Sequence, residues 1–253
     1  MAEIKTAKLY NDKIQIDFYP NSHRYKKHGE RSYLISVTTA TGMLDKSRVL
    51  INWAVGLVKD FLYEQADTLA KTDSRELVES LIDKACVQHT EKKTKAGASG
   101  TAVHEWAEAF INGEDPALPK DKNVLNGVTA FMKWVGENKI KFTACEKLVY
   151  SKKLDYVGLM DASGKIKGKN YVIDFKTSKY IYNEHRYQTA AYLMADEEES
   201  GVKYDGIYLV KFDKETGEFE PHLFDSREDI DKDFEAFKGL LAVKKREKEL
   251  TKW

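Results

Sequence analysis

Cysteine is almost missing from this chain: in 253 residues only Cys86 and Cys145 occur, far apart and without the close spacing of paired metal ligands. A disulfide framework, a structural zinc site and a four-cysteine iron–sulfur cluster therefore find no support. No apolar run approaches the length of a membrane span, and the start Met1-Ala2-Glu3-Ile4-Lys5 lacks the apolar region of a secretion signal. The expectation is a cytoplasmic protein without a membrane partner. A G-x-x-x-x-G-K-[ST] phosphate loop is absent too, so neither a nucleotide cofactor nor a helicase motor is expected. The 4 prolines and 15 glycines gather into no linker, and there is no internal repeat. One domain over 1–253 follows, with a hairpin and helical elaboration over 1–140 and a sheet core over 141–253. Charge of one sign is missing as well: 41 Lys and Arg balance 41 Asp and Glu, and zero net charge gives no general attraction to a polyanion.

What is present is a concentration of charge chemistry between residues 155 and 192. Residues 171–176 read as a strand whose alternation puts Asp174 and Lys176 on one face and sends Ile173 and Phe175 into the core. If 155–176 form an antiparallel hairpin, counting forward from Asp161 and back from Asp174 meets between Lys167 and Gly168, a stretch suited to reversal. Asp161 would then face Asp174. Like charges opposed across a sheet destabilise it unless a cation sits between them, and hard carboxylate oxygens select Mg²⁺ or Mn²⁺. Residues 183–195 read as a helix with Asn183 as N-cap and Gln188 and Tyr192 stacked four apart. The stretch from Gly100 opens another helix whose spacing stacks His104 over Glu108 and can bring an imidazole to the metal.

The remaining pattern predicts an α/β arrangement. Residues 14–18 alternate as a strand, and Tyr33 to Val37 is expected to complete an amino-terminal hairpin. Ser47 is expected to cap a helix with an apolar stripe of Trp53, Ala54, Leu57, Val58, Phe61 and Leu62. Residues 74–90 and 101–112 look helical, and these helices are expected to build a wall. A helix at 123–137, strands at 142–150, 155–162, 170–176, 206–212 and 217–223, and a helix at 226–248 follow. In that last helix Ile230, Phe234, Phe237, Leu240 and Leu241 form the buried stripe, and its basic end complements the helix dipole.

These segments together resemble the PD-(D/E)XK nuclease superfamily, in its RecB-like branch and among that branch's stand-alone phage-type and mitochondrial-type exonucleases. The order of His104, Asp161, Asp174 with Lys176, and Gln188 with Tyr192 carries the resemblance. So do the strings "YVGLMDA", "VIDFKTSK" and "YQTAAY", and the "NSHRY" and "ISVTT" of the amino terminus. The proline-aspartate that names the superfamily is missing before Asp161. The resemblance implies a restriction-endonuclease-like mixed sheet flanked by helices, and phosphodiester hydrolysis by metal-activated water. Mg²⁺ or Mn²⁺ would be held by Asp161, Asp174, the Phe175 carbonyl and His104. Lys176 would act on the attacking water and on developing phosphoryl charge, with Gln188 and Tyr192 positioning it or the scissile phosphate. Glu108 would bind a second ion or hydrogen-bond His104, and Glu146 would support the site. The implied partner is DNA, single-stranded or with single-stranded ends, beside recombination or replication proteins. A non-catalytic DNA-binding protein on the same fold and a structure-specific endonuclease are the alternatives.

Lysines add a further reading. Lys165, Lys167, Lys169 and Lys179 surround the hairpin with Asp174 as the one opposing acid, and they suit phosphate contact as well as plain solubility. Tyr180, Tyr182 and Tyr187 flank the same region, available for stacking or packing.

Overall fold

The computed structural model of the chain describes residues 4–251; the first residues of the start read above for a secretion signal, Met1 to Glu3, lie outside the described residues. The chain divides into two compact units, one of residues 45–102 and one of residues 1–44 with 103–253.

The larger unit is a mixed α/β structure. Its amino-terminal sheet has three antiparallel strands, β1 (Lys5–Leu9), β2 (Ile14–Tyr19) and β3 (Arg24–Lys27), in the order β1-β2-β3. The expected hairpin is thus one strand larger, and its second member differs. Pro20–Ser22 makes a single tight turn, so the chain reverses at once and Arg24–Lys27 pairs with β2. Of the stretch expected as its partner, Ile35–Ser36 (β4) instead joins the main sheet, paired in parallel with Tyr156 and Val157. There Ser36 caps the short helix α1 (Val37–Thr41), its hydroxyl accepting from the Thr39 N–H.

The main sheet is six-stranded and mixed, running β4-β6-β7-β8-β9 with β5 along the other edge of β6. Its strands are β5 (Lys141–Ser151), β6 (Tyr156–Ile166), β7 (Lys169–Lys176), β8 (Gly206–Phe212) and β9 (Phe219–Phe224). Helices flank it. On one side α6 (Asn183–Ser200) buries Ala190, Tyr192, Leu193 and Ala195 with Val37 and Ala40 of α1 and with Ile230, Phe237 and Leu241 of α7 (Arg227–Leu250). Elsewhere α5 (Lys122–Asn138) presents Phe131 and Trp134, both fully buried, to Phe175 and Phe212 at centroid distances of 5.5–6.3 Å. Such edge-to-face ring contacts add to the stabilisation from burial alone. The alternation read for β7 therefore holds: Phe175 enters this aromatic core, while Asp174 and Lys176 turn away together. The architecture is consistent with a restriction-endonuclease-like fold.

The smaller unit is helical, with α2 (Ser47–Glu64), α3 (Ala66–Lys71) and the first part of α4 (Arg75–Ile111). Two helices were expected over 74–112, but α4 runs unbroken. Its middle carries Lys92, Lys93, Lys95, Ala96 and Ala98, good helix formers that carry the helix through Gly97 and Gly100. Ser47 is the first residue of α2 rather than its cap; its N–H bonds Asp45 Oδ1. The stripe read on α2 is only half-buried, and Trp53 is 40% exposed. No helix among the described residues is long and apolar enough to cross a membrane.

Candidate metal centre

The β6–β7 ladder ends at Ala162↔Ile173, and the same register carried one step on sets Asp161 opposite Asp174. The reversal is a two-residue turn with Lys167 at φ 50° and Gly168 at φ 84°. Two left-handed residues give the turn whose twist matches an antiparallel pair, and glycine occupies the more extreme position without steric cost. Beyond Ala162↔Ile173 the Phe175 N–H donates to Asp161 Oδ2 at 2.8 Å, so a carboxylate rather than a backbone carbonyl closes the ladder.

On the opposite edge of β6, the flanking pairs Cys145↔Ala162 and Lys147↔Met160 put Glu146 across from Asp161. Glu146 has φ 46°, a left-handed conformation inside a strand. For a residue with a long side chain such a backbone stores about 1–3 kcal/mol of strain, which the surrounding pairing must hold. The result is a cluster: His104, Glu146 and Asp161, all half-buried, each offer a ligand atom, and these atoms lie within 4.8 Å of one another. His104 Nδ1 is 3.7 Å from Asp161 Oδ2, and its ring meets the Phe175 ring edge-on.

Asp174 stands beside this trio rather than in it. It is fully buried, with Lys176 Nζ 2.6 Å from Oδ2 in a charge-assisted contact, while Oδ1 has no hydrogen-bond partner among the described residues. A buried carboxylate oxygen left without a partner is costly, and a cation on that side is a natural relief. Burial raises the Asp174 pKa, Asp161 adds to this, and the Lys176 ammonium partly offsets both. Burial works against the Lys176 ammonium, but Asp174 and then Asp161 outweigh it and hold its pKa above the ordinary lysine value. Glu146 is pushed up to about 8, first by burial, then by Asp161 and Glu108, with Lys5 pulling the other way. Glu108, one turn beyond His104 on α4, thus acts on the cluster through its charge.

Gln188 and Tyr192 meet each other on α6: Gln188 Nε2 donates to the Tyr192 hydroxyl at 2.8 Å. Burial and the Asp174 charge raise the Tyr192 pKa far above its usual value, so it stays a neutral phenol. Its ring fills the space over Gly158, where an added Cβ would fall 2.4 Å from Tyr192 Cε1. The glycine three residues before Asp161 and the tyrosine four after Gln188 are therefore one packing unit. Asn183 begins α6 and Tyr182 precedes it; the His185 ring, not Asn183, accepts the Tyr182 N–H.

Lys165, Lys167, Lys169 and Lys179 are all exposed. At roughly 3.3 Å per strand residue, Lys165 to Lys169 sit about 13–20 Å from Asp161 along the hairpin, outside the carboxylate cluster. Two contributors escaped the sequence reading, Tyr25 and Lys5 of the amino-terminal sheet. Tyr25 is buried and its phenol pKa is raised by burial and then by the Glu146 charge. The alternation Arg24-Tyr25-Lys26 held the signal, marking Tyr25 as the inward residue.

The fold and donor set together define an α/β protein with a carboxylate and imidazole centre suited to a hard cation. No family model matches the chain. It is similar to mitochondrial genome maintenance exonuclease 1 of Homo sapiens, 26% identical over 137 residues, a match covering 50% of this chain and 40% of the human protein. That likeness supports a nuclease at the coarse level of a hydrolase.

Proposed function

We propose that the chain is a Mg²⁺- or Mn²⁺-dependent DNA nuclease of the PD-(D/E)XK superfamily, RecB-like branch, acting as an exonuclease. The observation that carries this is the gathering of His104, Glu146 and Asp161 within 4.8 Å, beside the buried Asp174–Lys176 pair. The residues fit a hard divalent ion: three carboxylates, one imidazole, an Asp174 Oδ1 without a hydrogen-bond partner among the described residues, and a Glu146 whose raised pKa a cation would relieve. Asp161, Asp174, His104 and Glu146 would hold it, with the Phe175 carbonyl. Bound there, the ion would supply a Lewis acid that polarises a phosphoryl oxygen and makes a neighbouring water more acidic than in bulk solvent.

The chain's own residues do the rest. Lys176, kept protonated by Asp174, is a fixed cation that orients the nucleophile and balances developing phosphoryl charge. Because it retains its proton at neutral pH, charge stabilisation suits it better than proton abstraction. Gln188 and Tyr192 are hydrogen-bonded to each other, and the neutral phenol, which feels the Asp174 charge, is a fixed dipole near that carboxylate. Exonucleolytic action follows the name of the human relative.

The test is incubation with end-labelled linear and circular DNA, single- and double-stranded, in Mg²⁺, Mn²⁺ or excess chelator, with Lys176→Ala in parallel. The expected result is loss of linear DNA only, abolished by chelation, and a decrease of about 10²–10⁴-fold in Lys176→Ala with DNA affinity retained. Full cleavage in chelator removes the metal mechanism. Circular single strands cut as fast as linear ones make the protein an endonuclease.

A further inference from the structure

Away from the carboxylates, the amino-terminal sheet and the end of α7 share a cleft of about 410 Å³ lined by Arg24, Tyr33, Leu34, Thr39, Lys244, Glu247 and Lys248, among others. Its one aromatic ring, Tyr33, is already covered by the protein's own cations: Arg24 lies 4.9 Å and Lys26 4.4 Å from its centre. Lys248 donates to the Tyr33 carbonyl and pins the end of α7 to the strand connection. Arg24, Lys244 and Lys248 line the cleft against one acid, Glu247, which Lys244 engages at 2.9 Å, so two positive charges stand in excess. In the adjoining hollow of about 270 Å³, Asp155 is paired with Lys27 and Glu249 with Arg246, leaving Glu30 as the acid without an ion pair among the described residues. Because the ring holds cations in place and does not present a free face, the surface suits phosphate and not stacked bases.

We infer that this cleft is a phosphate-backbone site that holds nucleic acid beyond the metal centre. The inference rests on the reading of the chain as a DNA nuclease. The alternation along β3 connects the two places: Tyr25 turns inward toward Glu146 and Tyr192, while Arg24 and Lys26 turn to the opposite face of the same sheet. A strand held there is read through its phosphates, without regard to sequence, and binding falls with salt.

The experiment measures anisotropy of labelled oligothymidylate in chelator over a series of KCl concentrations, for the wild type and for Arg24→Gln/Lys244→Gln. Both substitutions remove charge and leave Lys248 and its structural bond in place. The expected loss is two phosphate contacts, reducing the log K against log salt slope by about 1.4 and weakening binding roughly 10-fold near 0.1 M salt. Hydrolysis of bis(4-nitrophenyl) phosphate with Mn²⁺, a substrate that needs only the metal centre, should be unchanged, while the thermal midpoint should fall by only a few degrees as Arg24 leaves the Tyr33 ring and Lys244 leaves Glu247. An unchanged slope in a variant that keeps this hydrolysis overturns the inference. So does poly-glutamate binding that is tighter than DNA binding and lost in the variant, which would assign the cleft to an acidic polypeptide. A wild type that cuts DNA while the variant keeps its slope leaves the nuclease reading intact and removes the cleft. A wild type that binds with the expected slope but never cuts does the reverse.

Discussion

Glu146 holds its carboxylate in the cluster by adopting a backbone that its residue type disfavours, with φ 46° in the middle of β5. Asparagine tolerates that region far better than a long side chain does, and it removes the buried ionisable group as well. Glu146→Asn is therefore expected to raise stability by about 1 kcal/mol while lowering Mn²⁺ affinity and DNA cleavage at least 10-fold. Isothermal titration with Mn²⁺ and a urea midpoint check the two effects separately. A variant that is both less stable and equally able to bind the ion would show that the strained carboxylate serves packing instead. At this scale the opposition of Asp161 and Asp174 was legible, because strand period and turn position fix it once the hairpin is assumed. The approach of Glu146 was not, since a positive φ at a non-glycine residue comes from neighbouring pairing and leaves no mark in composition.

Among the elements, the β6–α6 contact shows most clearly how two short motifs depend on each other. Gly158 carries no side chain where the Tyr192 ring lies, and the Gln188 amide fixes that ring's hydroxyl. In Gly158→Ala the new Cβ would meet ring carbons at 2.4 and 2.8 Å and Val37 at 3.1 Å, and the Tyr192 ring that must yield is buried and tied by its hydroxyl to Gln188. Overpacking of this kind costs about 1–3 kcal/mol. In a chain of this size the thermal midpoint should fall by about 2–12 °C, and cleavage should fall with it as α6 is displaced from Asp174. Adding Tyr192→Leu should recover part of the lost midpoint, and strictly additive losses in the double variant would argue against the contact. Element type was readable wherever period was strong, as in β5 to β9 and α5 to α7. The amino-terminal sheet was misread because Arg24–Lys27 is short and wholly polar apart from Tyr25. The gap left between the helices read over 74–90 and 101–112 is closed by α4, which runs through Gly97 and Gly100 because most of the intervening residues are compatible with helix.

For the molecule as a whole, the acids around the centre set how stability responds to pH. Glu146 faces Asp161 of β6, Glu108 of α4 and Asp174 of β7, with Lys5 of β1 as the cation that opposes them. Its folded-state pKa of about 8 lies above the ordinary 4.5, and Asp174, at about 6 against 3.8, shifts the same way. Between those values the folded chain binds more protons than the unfolded chain, so stability is present at low pH and declines as pH rises toward about 8. A divalent ion binds the ionised carboxylates and reverses this trend, since binding releases those protons. In chelator the thermal midpoint should therefore fall from pH 5.5 to pH 8.5. The gain on adding Mn²⁺ should be small at the lower pH and larger at the higher. At 100 times its dissociation constant the ion adds about 2.7 kcal/mol, on the order of 5–10 °C for this chain length. Glu146→Gln should flatten the chelator profile and shrink the Mn²⁺ gain together. This response could not be read from a net charge of zero, which hides the local crowding of acids, just as an even composition hides the division at residues 45 and 102. Equal Mn²⁺ gains at both pH values would mean that the ion binds away from these carboxylates, and the centre formed by His104, Glu146 and Asp161 would lose its role.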